Sequence, residues 1–460
     1  MTNKIFDMDV EEIKNALMNN SLTVCVVGIG RIGLPTALSF ANSGLLTIGL
    51  DINSELVKNI NSGIYPLKDE PEYDLIFEKV IKEKKFFATT NAEESISKAD
   101  IILLSLPTPM NSNNIPQYSA LHSVGEQLSE KLSEGSLVII ESTIEPGFVE
   151  NEFISIIEGG KKRLKNGQNF GIGVCPETAN PGEIMKDFKN LPRLVGGINK
   201  KSENIIFEIY RYVFPVDLIR MPNCKTANAV KLTTNVFRDV NIAFINELSL
   251  LFEKLGIDTF TVLEAAKTKY NFQAHYPGAG VGGPCLPVNS YQFLNSASKF
   301  NSNLLKLVRT SREINENMPN HVIDLLNSGL KEANKDITNS KILILGISYK
   351  PNVKDIQLSP AELIIKQLIK SGAEVQIYDP FFKNSTVFGI KTENDLNSVL
   401  EKIDAIVIVT AHNDFLNLDP AIFALKMKKP VIVDSRGILD IDASKKAGII
   451  YRGIGRENLG

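Results

Sequence analysis

The strongest constraint on the fold of this chain is a glycine pattern set between a strand and a helix. Residues 22–27, Leu-Thr-Val-Cys-Val-Val, have the unbroken apolar character of a buried strand. They run into Gly28-Ile-Gly30-Arg31-Ile32-Gly33, after which residues 34–42 show helical periodicity. A second apolar strand at 46–50 ends in Asp51. In such a unit the first glycine makes the turn, the second lets a pyrophosphate approach the backbone, and the third lets helix and strand pack closely. An acid at the end of the second strand accepts hydrogen bonds from ribose hydroxyls and repels a 2′-phosphate, which favours NAD over NADP. Gly28, Gly30, Arg31, Ile32, Gly33 and Asp51 are therefore candidate cofactor contacts; the competing reading is a glycine turn that holds no ligand.

Further apolar runs at 101–106, 137–140 and 170–174 are separated by helix-like segments, the alternation of a parallel sheet covered on both faces. Ligands of open α/β sheets bind beyond the carboxyl ends of the strands. Those ends carry Pro107-Thr108-Pro109, Glu141-Ser142-Thr143 and Cys175-Pro176-Glu177, which makes Thr143 and Glu177 candidates for the reaction side of the cleft. Thr143 reads equally well as a helix cap.

Residues 223–256 then form a helical pattern without internal glycine or proline, with apolar positions at Val230, Val236, Phe244, Leu248 and Leu251. Lys231 and Asn235, four apart, share one face of it; a solvated face is the competing reading for the lysine. Arg238, Asp239, Asn241, Asn246 and Glu247 give the helix a partly polar surface of the kind found between subunits. At 276–289 comes Tyr-Pro-Gly-Ala-Gly-Val-Gly-Gly-Pro-Cys-Leu-Pro-Val-Asn, a stretch too rich in glycine and proline for a helix or central strand. It is expected to be a shaped loop that presents Cys285 and comes close to a ligand. The alternative is a loop with an incidental cysteine.

From 341 the opening pattern returns: Lys-Ile-Leu-Ile-Leu-Gly346, a helix at 360–371, and a strand ending at Asp379, without the full glycine triplet. More strands read at 405–409 and 431–433. A sheet of this form with a degraded dinucleotide turn suits a different nucleotide, with Lys350 and Arg436 as phosphate or carboxylate partners or as ordinary surface charge. The fold class expected is α/β, two doubly wound Rossmann-like domains joined by a long central helix and a helical middle domain. The boundaries read as 1–20 (helical extension), 21–220, 221–335 and 336–460.

Composition excludes several functions. With 43% hydrophobic and 22% charged residues and a net charge of -3, the chain has no basic footprint for nucleic acid or an anionic membrane. Residues 1–20 read as an acidic amphipathic helix rather than a secretion signal, and no apolar run is long enough to span a bilayer. A soluble, cytoplasmic protein is expected. The four cysteines and four histidines are scattered, which indicates neither a disulfide framework nor a metal site, and Cys25 falls in an apolar run as a core residue.

Set side by side, the motifs resemble those of the nucleotide-sugar 6-dehydrogenases over residues 21–456. The likeness is carried by Gly28-Ile-Gly-Arg-Ile-Gly33-Leu-Pro, Ser105-Leu-Pro-Thr-Pro109, Ser142-Thr-Ile-Glu-Pro-Gly147, Cys175-Pro-Glu177, Lys231-Leu-Thr-Thr-Asn235, Gly282-Gly-Pro-Cys-Leu-Pro287 and Tyr349-Lys-Pro-Asn-Val-Lys-Asp355, all in family order. The resemblance implies an NAD-dependent four-electron oxidation of a UDP-sugar C6 alcohol to the acid, by way of an aldehyde, a cysteine thiohemiacetal and a thioester. It assigns Cys285 as nucleophile, Lys231 and Asn235 as oxyanion partners, and Glu177 with Thr143 to water and proton handling, Glu177 as general base. Pro107, Thr108 and Thr143 join the cofactor contacts. Tyr276, Gly282 and Lys350, with Glu177, Lys231 and Asn235, join the UDP-sugar site. A homodimer and a role in polysaccharide or glycan synthesis come with the family.

Departures accompany the likeness. Asn289 stands where the family usually has Asp, Gln357 where it commonly has Arg, and Thr178 where the N-acetylmannosamine branch often has Arg. The runs 237–247 and Cys175-Pro-Glu with Asn180-Pro-Gly182 resemble that branch, so UDP-N-acetyl-D-mannosamine is the expected substrate. UDP-N-acetylglucosamine and UDP-glucose are the alternatives. A two-electron β-hydroxyacid dehydrogenase would need neither Cys285 nor the second sheet. A non-catalytic sugar-nucleotide-binding protein would account for Asn289 and Gln357 but leave the other site residues unexplained.

Overall fold

In extended chain, successive side chains point to opposite faces, and this alternation builds both sheets of the protein. The computed structural model describes residues 4–67, 70, 72–180, 182–427 and 429–456, so Pro181 of the 180–182 run lies outside the described residues. Two compact units emerge: Met1–Thr234 with Tyr291–Ser296, and Asn235–Ser290 with Ala297–Gly460.

The first unit contains β1 (Thr23–Val27), β2 (Leu46–Leu50), β3 (Phe86–Thr89), β4 (Ile101–Leu104), β5 (Leu137–Ile140), β6 (Gly171–Val174), β7 (Arg193–Gly197) and β8 (Leu218–Met221). Val24 and Val26 of β1 enter one buried cluster, and Cys25 and Val27 enter the other. Leu137 and Ile139 of β5 divide from Val138 and Ile140 in the same way. Both faces are covered, which is why these strands read as continuous apolar runs. The order is β3-β2-β1-β4-β5-β6-β7-β8, parallel from β3 through β6. The strands read from the apolar runs are thus all parallel, and two strands not read from the sequence extend the sheet: β7 runs antiparallel to β6, and β8 follows β7 in parallel. Of the amphipathic helix expected over 1–20, Val10–Met18 is helical, started by a capping box between Asp9 and Glu12. The segment Ile5–Asp7 before it is a short 3₁₀ turn with Ile5 and Phe6 buried.

In the second unit β9 (Lys341–Leu345), β10 (Glu374–Tyr378), β11 (Thr386–Val387), β12 (Ile390–Glu393), β13 (Ala405–Ile408), β14 (Val431–Asp434) and β15 (Ile450–Gly453) form a sheet of order β11-β12-β10-β9-β13-β14-β15. It is again doubly wound and parallel except for the β11–β12 hairpin. Ile342 and Ile344 face one cluster, Leu343 and Leu345 the other. The helix Lys306–Glu332 packs on this sheet and runs through Pro319 without ending there. Proline removes the N–H that would bond to the carbonyl four residues back, that of Asn315. Gly280 covers that carbonyl, so closely that a Cβ on Gly280 would come within 2.9 Å of it.

The 32-residue helix Cys224–Leu255 matches the uninterrupted pattern read from the sequence, and the division between the units falls inside it.

Candidate active site

The three glycines after β1 occupy three different environments. Gly28 has φ +84, and a Cβ on Gly33 would lie 1.8 Å from the Gly28 carbonyl. Around Gly30 nothing lies within 4 Å of an added Cβ. The first therefore makes the turn, the third lets the helix Gly33–Asn42 approach the strand, and the second leaves an open cradle at a helix N-terminus. At the end of β2, Asp51 accepts hydrogen bonds from the backbone N–H groups of Ile29 (3.0 Å) and Asn53 (2.9 Å). These residues fit a dinucleotide with a free 2′-hydroxyl. Arg31 turns its guanidinium to the buried carboxylate of Glu70, 3.4 Å away.

Beyond the ends of β4 to β6 the predicted residues gather. The Thr143 carbonyl accepts from Thr108 Oγ1 at 2.9 Å and from Gln292 Nε2 at 3.0 Å. Thr143 caps no helix, since the chain next turns helical only at Val149. Its hydroxyl bonds to no described residue, and Pro107 is exposed beside Thr108. Glu177 is fully engaged: one carboxylate oxygen accepts from the N–H groups of Thr178 and Ala179, both at 2.6 Å, and the other from Arg193 at 2.9 Å. The guanidinium carbon of Arg193 lies 4.3 and 3.8 Å from the ring centroids of Phe188 and Phe214, which meet edge to face beside it. Burial opposes its charge, yet Glu177, Cys175 and Glu141 hold it protonated well above the usual range. Lys231 is buried rather than on a solvated helix face.

Sequence reasoning missed Arg193, Gln292, Glu141 and Glu145. Glu145 is buried and accepts from Asn295 Nδ2 (3.0 Å) and Ser296 Oγ (2.9 Å). Only Glu141 carried a signal, a carboxylate closing an otherwise apolar strand.

In the second unit the loop ends where Cys285 caps the helix Leu286–Ser298, so Asn289 is helical rather than part of the loop. Pro287 sits in the first turn, where its missing N–H has no helical partner to lose. Cys285 is exposed and unpaired among the described residues. Its helix turns the positive end of its dipole toward the thiol. The loop glycines make close approaches to the chain itself rather than to open space. A Cβ on Gly278 would meet Arg436 Nη1 at 2.2 Å, one on Gly282 the Leu358 carbonyl at 2.3 Å, and one on Gly283 the Tyr349 ring at 2.6 Å.

Asn235 donates from Nδ2 to Asn289 Oδ1 at 2.5 Å. Behind them Asp239 is buried and accepts from Ser290 Oγ (2.7 Å), Arg312 (2.8 Å) and Asn315 (2.8 Å). Asn315 accepts from Asn246 at 2.9 Å, which accepts from the Gly278 N–H at 3.0 Å. The Cys285 loop is thus tied to one buried network both before and after the thiol. Asp239 and Asn246, read as parts of a polar surface between subunits, point inward instead; Arg238 and Glu247 are exposed.

Residues 22–214, 225–317 and 343–441 match, in that order, the NAD binding, central and UDP binding domains of the UDP-glucose/GDP-mannose dehydrogenase family. The chain belongs to this family. A UDP-N-acetyl-D-mannosamine dehydrogenase of Pyrococcus horikoshii is 36% identical over 95% of this chain and 100% of its own length. A UDP-N-acetyl-D-glucosamine 6-dehydrogenase of Salmonella typhi is 29% identical over 92% of this chain and 98% of its own. Among solved structures, the UDP-D-ManNAc dehydrogenase of P. horikoshii has a TM-score of 0.88 at 35% identity, covering 95% of this chain and 100% of that one. A UDP-N-acetyl-mannosamine dehydrogenase of Staphylococcus aureus has a TM-score of 0.81 at 30% identity, over 95% and 98%.

As a member of the UDP-glucose/GDP-mannose dehydrogenase family, the protein is an NAD-dependent nucleotide-sugar dehydrogenase. Its UDP-binding sheet differs from the NAD-binding one at the acid after the second strand. Asp379 accepts from the Ile347 N–H at 2.8 Å, as Asp51 does from Ile29, but it is fully buried and bonded to His412 at 3.0 Å. It therefore has no oxygen to offer a ribose. Arg436, beside Gly278, makes no side-chain hydrogen bond or ion pair among the described residues, and burial lowers its proton affinity. An unpaired guanidinium in such a place suits an anionic group. Tyr276 stacks on Phe260 with centroids 6.1 Å apart and hydrogen-bonds Glu264, while Lys350 is half-buried after Tyr349. Gln357 contributes its backbone carbonyl, which accepts from the Gly283 N–H at 2.9 Å, and its side chain is exposed. Among the described residues no helix is long and apolar enough to cross a membrane.

Proposed function

We propose that the enzyme oxidises UDP-N-acetyl-D-mannosamine to UDP-N-acetyl-D-mannosaminuronate. The reading is supported above all by an exposed, unpaired Cys285 at a helix N-terminus, in a chain similar along nearly its whole length to enzymes named for that sugar. Bound NAD supplies the two-electron acceptor for each of two oxidations, held by Gly28, Gly30, Arg31, Ile32, Gly33, Asp51, Pro107, Thr108 and Thr143. Cys285 Sγ adds to the C6 aldehyde, and the thiohemiacetal keeps a reactive carbonyl bound until it becomes a thioester. Lys231 and Asn235, one helical turn apart, stabilise the developing oxyanion. Glu177 takes a proton from the water that hydrolyses the thioester, with Thr143 orienting it. Tyr276, Gly282, Lys350 and Arg436 hold the nucleotide-sugar.

In this reading residues 21–220 form the cofactor domain, 221–335 carry the cysteine loop and 336–460 bind UDP, with 1–20 as an extension. The enzyme works in the cytoplasm in polysaccharide or glycan synthesis. It is a homodimer joined through the central helix, whose exposed Phe237, Phe244 and Leu251 recur every seven residues along one stripe.

NADH formed per sugar consumed tests the reaction, with UDP-N-acetylmannosamine, UDP-N-acetylglucosamine and UDP-glucose run in parallel. Two NADH from the first sugar are expected. One NADH would mean that the reaction stops at the aldehyde, and preference for another sugar would reassign the substrate.

The glycines give a second test. Gly33→Ala drives a Cβ into the Gly28 carbonyl and is expected to cost about 3 kcal/mol in a urea melt. Gly30→Ala, with open space around the added methyl, is expected to leave the melt within about 1 kcal/mol while weakening NAD at least tenfold by fluorescence titration.

A further inference from the structure

Behind Glu177 the first unit encloses a polar cluster that no step of the proposed reaction uses. Glu141 follows β5, Arg193 opens β7, Tyr210 comes from the helix Lys200–Val213 and Thr36 from the helix Gly33–Asn42. All four are buried, Glu141 at 1% and Arg193 at 3% exposure. One Glu141 oxygen accepts from the Tyr210 hydroxyl at 2.6 Å. The other has no hydrogen-bond partner among the described residues, and neither have Arg193 Nη2 and the Thr36 hydroxyl. Arg193 therefore gives one amino group to Glu177 and keeps another unmatched in a pocket that also contains an unmatched carboxyl oxygen. Buried polar groups are rarely left so, and a carboxylate and a guanidinium are the pair with most to gain from each other.

We propose that Glu141 is a positioning residue for the oxidation, acting through Arg193: it competes with Glu177 for the one guanidinium and so sets how readily Glu177 takes a proton from water. This rests on the assignment of Glu177 made above. When Glu141 is protonated, the charge of Arg193 falls on Glu177 alone and lowers its basicity. When Glu141 is ionised, the guanidinium is shared, and the added negative charge also favours protonation of Glu177. The titratable groups facing Glu141 are Arg193, Glu177, Tyr210 and Cys175, with Thr36 as an uncharged neighbour. Burial pushes the Glu141 carboxyl up to about 7, against the opposing influence of Arg193. The competition thus changes sides within the working pH range, and kcat rises as pH passes through it.

The test is the pH profile of kcat and KM for UDP-N-acetylmannosamine oxidation by the parent enzyme, Glu141→Gln, Tyr210→Phe and Glu177→Gln. Glu141→Gln is expected to lose the limb near neutrality and to be about tenfold slower at pH 8, with KM for the sugar unchanged. Tyr210→Phe removes the hydroxyl that holds Glu141 ionised and is expected to move the limb to higher pH, an effect that a purely structural role would not produce. Tyr210→Phe decides alone if Glu141→Gln does not fold. Unchanged limbs in the folded variants, with Glu177→Gln slow, would overturn the proposal and leave the reading of Glu177 intact. A Glu177→Gln enzyme as fast as the parent would overturn both.

Discussion

Cys285→Ser is expected to form no uronic acid, with steady NADH production about a thousandfold slower than in the parent. Serine keeps the size and the helix-capping position but is a far weaker nucleophile, and Cys285 has no hydrogen-bonded base among the described residues that could activate a hydroxyl in its place. The side chain is exposed, so the melting curve is expected to stay within about 0.5 kcal/mol of the parent. Loss of activity with an unchanged melt would then locate the effect in the chemistry. Thiol labelling offers an independent check. Burial pushes Cys25 and Cys175 up to about 12 and Cys224 higher still, so one equivalent of iodoacetamide at neutral pH is expected to mark Cys285 alone and to inactivate in proportion. A serine variant that still carried the sugar through to the acid would remove the covalent mechanism.

Arg193→Met is expected to lose about 3–5 kcal/mol of stability at pH 8, measured by urea unfolding, because it leaves the buried Glu141 and the half-buried Glu177 without the cation beside them. Methionine keeps an apolar side chain packed against Phe188 and Phe214, so the loss reports the charge rather than a cavity. The pH dependence has a definite sign. In the parent, Glu141 binds its proton more tightly folded than unfolded, so the folded chain holds the extra proton between the ordinary carboxylate range and about pH 7. Stability from this group is therefore present at low pH and falls as pH rises through about 7. Without Arg193 the Glu141 carboxyl would lose the influence that opposes burial and be raised further, so the deficit is expected to shrink as pH falls from 8 toward 5.5. An equal deficit at both pH values would mean that Arg193 acts by packing alone.

Several parts of this protein were legible in its residues, and the reason is local. The turn at Gly28, the close approach at Gly33 and the end of β2 at Asp51 are set by contacts within a single strand-turn-helix-strand unit, so spacing alone reveals them. The helix Cys224–Leu255 was equally readable, because nothing in thirty-two residues interrupts it. The reversed direction of β7 was not, since an apolar run buried on both faces looks the same in either direction. Pro319 lies within a helix because tertiary packing covers the carbonyl it frees, and helix propensity carries no record of that. The loop glycines were legible only in part. They read as places where the backbone comes close to a ligand, and the spacing gave no sign of their close neighbours within the chain, Leu358, Tyr349 and Arg436, which lie more than sixty residues away.

The candidate site divides in the same way. Residue types capable of the chemistry, Cys285, Lys231, Asn235, Thr143 and Glu177, together with the two nucleotide-binding patterns, are properties of the linear chain, because a thiol, an ammonium or a carboxylate keeps its chemistry wherever it stands. What surrounds each one was decided only on folding. Lys231 is buried, Glu177 is gripped by Arg193, Asp379 is bonded to His412 where Asp51 stays open, and Glu141 is raised to about 7. Those states depend on desolvation and on charges brought together from distant elements, and neither has any counterpart in the spacing of residues along the chain.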